Sequence, residues 1–447
     1  MSLFPSRTWV KRALANYGMA IVLLLLCAYY SWATLQRQRP AGKEAAAAVL
    51  SEVTSRTATT SRILIVARMV GRDQIFAEEL TRLLAGKGYV SIQAIEGEPQ
   101  AAREALTKLT GPPAIIAATE EAAQWLEPML LRLPELAGTP IVVPRSYLWP
   151  TFLQLDNLLN VANQIAVIAL IAVGMTMVIV TGGIDLSVGS LVALSAVLTG
   201  VLIRDFGGGA SASAGSLVLC SLGGILACGL IGGISGLLVT RFSLPPFIAT
   251  LGIMRVAYGL AYECSKGLSI YEIPVSFVWL GRGADLFLIP NAVVFMALVY
   301  AVAHVLMSHT TFGRYVYAVG GNLEAARLSG VRVKRVLVTV YVVSGLTAGL
   351  GGVIVTSQLK SSSPTYGLGY ELLVIAAVVV GGTSLSGGSG KILGTLIGAF
   401  IIAVVQNGMN LTGVSTYRQY VVQGVIILGA VLLDQLRRRN WRLTSST

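Results

Sequence analysis

Apolar residues run along most of this chain in blocks of about twenty, the length a helix needs to cross a hydrocarbon core. Ten such blocks stand out, at residues 17–35, 160–181, 186–203, 215–239, 246–263, 287–307, 335–357, 369–383, 391–411 and 418–435. Charged residues are confined largely to the connections between them. The pattern predicts an α-helical polytopic membrane protein with about ten transmembrane helices. The first block follows Arg7, Lys11 and Arg12, as a secretory signal would. It is long for a signal core and no small-x-small cleavage site closes it, so it reads as a retained first span.

One stretch breaks the pattern. An Ala/Ser/Thr-rich linker, Ala45–Ser61, leads into short apolar runs at Arg62–Ala67, Tyr89–Ile95, Ala114–Ala118 and Ile141–Val143. Helix-like segments at Asp73–Ala85, Pro99–Leu109 and Glu120–Leu131 alternate with them. Strand-sized runs alternating with amphipathic helices predict a small inserted α/β domain with a Rossmann-like parallel sheet, placed after the first helix. The expected organisation is an N-terminus and first span at 1–39, the insert at 40–145, a membrane core at 146–436 and a tail at 437–447.

Composition agrees with a chain held in lipid: 54% of its 447 residues are hydrophobic and only 12% charged, about half the charged share of a soluble domain. The net charge of +12 therefore speaks of loops rather than of nucleic acid. With the N-terminus inside, inner connections hold fourteen basic residues: Arg7, Lys11, Arg12, Arg241, Arg314, Arg327, Arg332, Lys334, Arg335, Lys391, Arg437, Arg438, Arg439 and Arg442. Outer ones hold five: Arg204, Lys266, Arg282, Lys360 and Arg418. This bias predicts both termini in the cytoplasm and the insert outside, the long insert itself being left out of the count.

Two connections carry related sequence. Gly182-Gly183-Ile184-Asp185-Leu186-Ser187-Val188-Gly189-Ser190 aligns with Gly381-Gly382-Thr383-Ser384-Leu385-Ser386-Gly387-Gly388-Ser389, with six identities in nine positions. Each copy falls between two spans on the inner side, so the halves are expected to relate by a pseudo-symmetry axis. Such glycine density suits broken helices that line a wet cavity; tight turns that only reverse the chain remain the alternative. The continuation Gly390-Lys391-Ile392 lacks the glycine at Leu385 and the hydroxyl at Ile392 that a phosphate loop needs. No catalytic residue, metal site or disulfide framework is expected, the four cysteines having no ligand spacing.

Between the sixth and seventh blocks, Gly320-Gly321-Asn322-Leu323-Glu324-Ala325-Ala326-Arg327-Leu328-Ser329-Gly330 reads as a two-turn helix. Asn322 is a good N-cap, Glu324 suits the first turn and Gly330 the C-terminal stop. A helix so short is unstable alone, so a packing partner is expected outside this chain. Within the apolar blocks Asn163, Gln164, Gln406, Asn407 and Asn410, with Tyr366 near an outer end, are candidates for a polar path. Arg255 is placed near the inner end of its span. Asp185 and Glu371 are placed toward the ends of theirs, and Asp434 at the last inner boundary.

Several of these motifs resemble the ribose, xylose and autoinducer-2 family of ABC importer permeases. The likeness rests on Ala172–Ser190 (AVGMTMVIVTGGIDLSVGS), Phe247–Leu251 (FIATL), the Gly320–Gly330 segment and Gly369–Gly398 (GYELLVIAAVVVGGTSLSGGSGKILGTLIG). It covers residues 147–436 closely and 1–35 loosely. The resemblance implies a bacterial inner-membrane transport subunit, not an enzyme, for a pentose- or hexose-like monosaccharide or a related small polyol. It also implies a second permease subunit, identical or not, a periplasmic sugar-binding protein, and a cytoplasmic ATPase that carries the ATP and Mg. Gly321, Asn322, Glu324, Ala325, Ala326, Arg327 and Gly330 would dock in that ATPase. The insert departs from the family and resembles the beginning of a type I periplasmic sugar-binding protein. Two other classes stay open on the residues alone: a secondary transporter driven by an ion gradient, and a membrane-anchored sensor using the insert.

Overall fold

The computed structural model describes residues 7–444 other than 39, 70 and 110, with side chains from Gly18 to Leu432 and at Gln435. The side chains of Arg7, Lys11, Arg12, Asp434, Arg437, Arg438, Arg439 and Arg442, which enter the charge and boundary arguments, lie outside the described residues. The chain divides into two compact units, Leu35–Thr151 and the remainder. Helix α1, Arg7–Ala33, belongs to the larger unit.

The smaller unit opens with β1, Leu35–Gln38, and closes with β6, Tyr147–Pro150, which pair antiparallel with Leu35 opposite Pro150 and Gln38 opposite Tyr147. Between them come α2 (Gly42–Arg56), β2 (Ile63–Ala67), α3 (Arg72–Gly86), β3 (Ile92–Glu96), α4 (Pro99–Thr107), β4 (Ile115–Ala118), α5 (Glu120–Leu130) and β5 (Ile141–Val142). The sheet is parallel, in the order β3-β2-β4-β5. All five side chains of β2 are buried, as expected of a strand covered on both faces. Ile63, Ile65 and Ala67 meet Val49 and Val53 of α2 and Phe76 and Leu80 of α3. Leu64 and Val66 meet Leu106 of α4 and Leu126 of α5. This division follows from the two-residue period of a strand. The region expected as a linker is corrected: most of Ala45–Ser61 lies in α2, because Ala45, Ala46, Val49 and Val53 fall on one helical face and bury against the sheet. A window rich in Ala, Ser and Thr reads as a linker only when that spacing is overlooked.

The larger unit continues with α6 (Leu155–Val180), α7 (Val188–Asp205), α8 (Ala214–Arg241), α9 (Pro246–Ser265), α10 (Val278–Arg282), α11 (Asn291–His309), α12 (Thr311–Gly321), α13 (Leu323–Leu328), α14 (Val333–Leu359), α15 (Tyr370–Val380), α16 (Ile392–Leu411) and α17 (Thr416–Thr444). Helices occupy each of the ten apolar blocks. Six among the described residues are long and apolar enough to cross a membrane by themselves: α6, α7, α8, α11, α14 and α16. Gly18–Ala33 and α15 are shorter apolar helices.

Helix α6 is the axis of the unit, buried continuously from Ile165 to Val180. A helix apolar all round is stable only when other helices surround it. Helices α8 and α14 cross at near backbone contact. A methyl on Gly232 would strike the Tyr341 carbonyl, one on Gly345 the Cys228 carbonyl, and one on Gly349 the Cα of Ile225. In lipid, where hydrophobic burial between helices is weak, such small-residue seams supply much of the packing energy. Tyr300 of α11 donates to the Ala169 carbonyl of α6 at 2.9 Å, and Tyr30 of α1 lies flush against Gly408 of α16.

Candidate functional site

Helices α6 and α15 end in the same way. Gly182 N–H donates to Ile179 O at 2.9 Å and Gly183 N–H to Val178 O at 3.0 Å; Gly382 N–H donates to Val379 O at 2.9 Å and Thr383 N–H to Val378 O at 3.1 Å. Gly182 and Gly382 sit at φ +81° and +90°, the left-handed conformation that lets a glycine close a helix with this bond pair. The sequence echo is thus a duplicated helix stop.

Beyond the stop the copies diverge. Asp185 is fully buried; its Oδ1 accepts from Ser187 N–H at 3.0 Å and Ser187 Oγ at 2.5 Å, and its Oδ2 from Ser344 Oγ at 2.7 Å. Ser344 lies near the middle of the 27-residue α14, so the first hairpin reaches deep into the bundle. In the second copy Ser384 stands at the aspartate's position. Its N–H donates to Ser389 O and its carbonyl accepts from Gly387 N–H, each at 3.0 Å, closing a turn around exposed Ser386.

The two hairpins and the end of α12 meet through backbone. Gly388 N–H donates to Val180 O at 2.8 Å. Gly320 packs so closely that a methyl there would overlap Val180 O and crowd Gly388 N, and Gly381 packs likewise on Gly394. Tyr317 Oη donates to Gly390 O at 2.8 Å. One residue past this junction comes Gly321, then α13. Asn322 Oδ1 caps it by accepting from Ala325 N–H at 2.9 Å, and Gly330 at φ +84° ends it. Sequence reasoning expected the packing partner of α13 to lie wholly outside the chain. That is corrected on one face: Ala326 is 5% exposed and belongs to the main hydrophobic core. Glu324, Ala325, Arg327 and Leu328 point outward. Glu324 and Arg327 approach to 3.9 Å, a surface pair of little energetic weight.

The two carboxylates expected toward span ends lie inside. The segment 361–369 runs beside α7, with Ser362 against Gly200 and Gly367 against Gly189, a descent of about 16 Å at 1.5 Å per residue. Glu371, at the start of α15, therefore touches Gly189. The non-helical backbone survives at this depth because it is paired, Ser362 exchanging bonds with Ile270 at 2.8 and 2.9 Å. Hydropathy alone cannot show that α15 begins partway through the bundle. Arg255, expected near a span end, lies midway along the 20-residue α9 and is exposed.

The candidate path residues separate into two groups. Asn407 and Asn157 exchange amide bonds at 2.9 and 3.1 Å. Asn410 accepts from Gln419 at 2.8 Å, and Tyr366 Oη lies 2.5 Å from Ser361 Oγ. Asn163 donates to Gly281 O at 3.1 Å and its main-chain carbonyl accepts from Gln358 at 2.9 Å. Gln164 and Gln406 instead share a cavity of about 280 Å³ between α6, α14, α15 and α16, together with Gln358 and Tyr370. The last two were missed as path residues, although each is a polar group at the edge of an apolar block.

A family described as the branched-chain amino acid transport system / permease component matches residues 157–431. The chain belongs to this permease family. Curated relatives of the permease include a ribose import permease protein of Bacillus subtilis (strain 168), 46% identical over 296 residues, which are 66% of this chain and 89% of that protein. A ribose import permease protein of Escherichia coli (strain K12) is 43% identical over 298 residues, 66% of this chain and 90% of its own. A D-allose transport system permease protein of the same strain is 38% identical over 285 residues, 64% and 85% respectively. No solved structure matches the permease. The family match begins at residue 157, after the α/β unit.

Proposed function

We propose that this permease is the membrane subunit of an ATP-driven importer for a monosaccharide or a related small polyol. The relatives support the cargo class. The observation that carries the mechanism is the backbone junction of Gly320, Val180 and Gly388, which joins the segment bearing α13 to both glycine hairpins. In this reading the outward residues of α13, Glu324, Ala325 and Arg327, dock in a cytoplasmic ATPase that binds ATP and Mg. Its closure displaces α12, and Gly320 passes the movement to the hairpins Gly182–Gly189 and Gly381–Gly388, alternating the access of the bundle.

The full importer contains a second permease subunit and a periplasmic sugar-binding protein. The basic-residue bias supports ten crossings of a bacterial inner membrane, with both termini and α13 cytoplasmic and the α/β unit outside. That unit serves as a docking platform for the binding protein. Deleting residues 40–145 is expected to weaken binding-protein affinity and uptake together; unchanged values of both would remove the platform role.

The coupling reading is tested with Glu324→Ala and Gly330→Val. Both variants are expected to insert normally and to lose sugar uptake while the ATPase still turns over. Wild-type uptake in both would refute it.

A further inference from the structure

Gln164 of α6, Tyr370 of α15 and Gln406 of α16 converge from three helices on one cavity. Their side chains make no hydrogen bond with protein among the described residues. Every other polar path candidate is paired, as the bonds of Asn163, Tyr366, Asn407 and Asn410 show. Gln164 and Gln406 are exposed and Tyr370 is half-buried, and polar side chains within apolar spans face the bundle interior or a pore, so these three tips stand open to whatever enters the cavity. The rest of the wall is aliphatic, with Ile165, Val355 and Leu373, apart from the Gln358 amide.

We infer that this cavity is an intramembrane binding site for a neutral polyhydroxyl compound, and that its lack of charge selects against zwitterions. The inference rests on the importer reading and deepens it. A primary amide offers both a donor and an acceptor, which matches a hydroxyl in either role, and the Tyr370 ring gives one aromatic face. At roughly 30 Å³ per water, 280 Å³ holds about nine waters, the bulk of a compound with around ten non-hydrogen atoms. An amino acid of that size would also fit. Its carboxylate and ammonium would lose their hydration, however, and no lining residue carries a charge to replace it. The family description names branched-chain amino acids, and this lining is the feature that would exclude them here.

The test places a cysteine at Gln164 or Gln406 in the full chain, its four native cysteines replaced by alanine and its partners present, and follows thiol labelling in membranes. Saturating D-ribose is expected to slow labelling several-fold, and L-leucine to leave it unchanged. Equal rates with and without D-ribose, or protection by L-leucine, would overturn the site. In parallel, Gln164→Leu with Gln406→Leu is expected to cut sugar uptake about tenfold, the loss of roughly one hydrogen bond's worth of binding. Wild-type uptake by that variant also overturns the site. If it fails to reach the membrane, the cysteine variants decide. Failure of the native chain to import any sugar defeats the importer reading itself, whereas import without protection at either cysteine defeats only the cavity.

Discussion

The N–H of Gly388 donates to the carbonyl of Val180 at 2.8 Å, binding the second glycine hairpin to the end of the helix that enters the first. Gly320 lies against both partners of this bond, and no side chain fits between. Gly320→Ala is therefore expected to push the three segments apart, at a cost of about 1–3 kcal/mol for overpacking. Uptake should fall at least tenfold while the amount of protein in the membrane stays near wild type. Gly259→Ala on α9 is the control, since a methyl there meets nothing; its uptake should stay within twofold, by comparison of initial rates.

Asp185 ties its hairpin to α14 through Ser187 and Ser344. Removing the carboxylate leaves buried hydroxyls and an N–H without an acceptor, about 1–3 kcal/mol for each group. Asp185→Ala should lower the melting temperature in detergent clearly. Asp185→Asn retains an oxygen for Ser187 and gains a donor for Ser344, so it should melt closer to wild type. The opposite order would show that charge, not hydrogen bonding, matters here.

Local signals were legible in the sequence and long-range pairings were not. The Asn322 cap and the stop at Gly330 could be read because glycine at positive φ and a capping amide act within a few residues, whereas the glycine repeats at 182 and 381 were legible only as breaks between spans and not as the shared helix stop they form. Which polar side chains face a cavity could not, since Asn407 is satisfied by Asn157, 250 positions away, while Gln406 beside it is not. The inward placement of Glu371 and the helix over Gly42–Arg56 were missed for one reason: each depends on what the segment packs against.

Asn322→Ala removes the cap of α13 and should destabilise that turn by about 1 kcal/mol. Gly330→Ala strains the left-handed stop by a similar 1–2 kcal/mol. Neither residue lies in the bundle core, so melting of the isolated permease should change little. Affinity for the ATPase should drop severalfold in both, measured by co-purification or titration.

The α8–α14 seam makes a stability prediction. Gly232→Val and Gly345→Val each drive a branched side chain into a facing backbone carbonyl. Both should yield little folded protein. Gly252→Ala on α9, where a methyl meets nothing, should accumulate normally by fluorescence-detected gel filtration.

The central claim is that a separate motor acts on this chain through α13 and the Gly320 junction. The most direct measurement is labelled D-ribose uptake by proteoliposomes holding the purified permease alone or with its ATPase and binding protein. Accumulation is predicted only with both companions and enclosed ATP, and it should collapse in Gly320→Ala. Uptake by the permease alone, driven by an ion gradient and indifferent to ATP, would contradict the account.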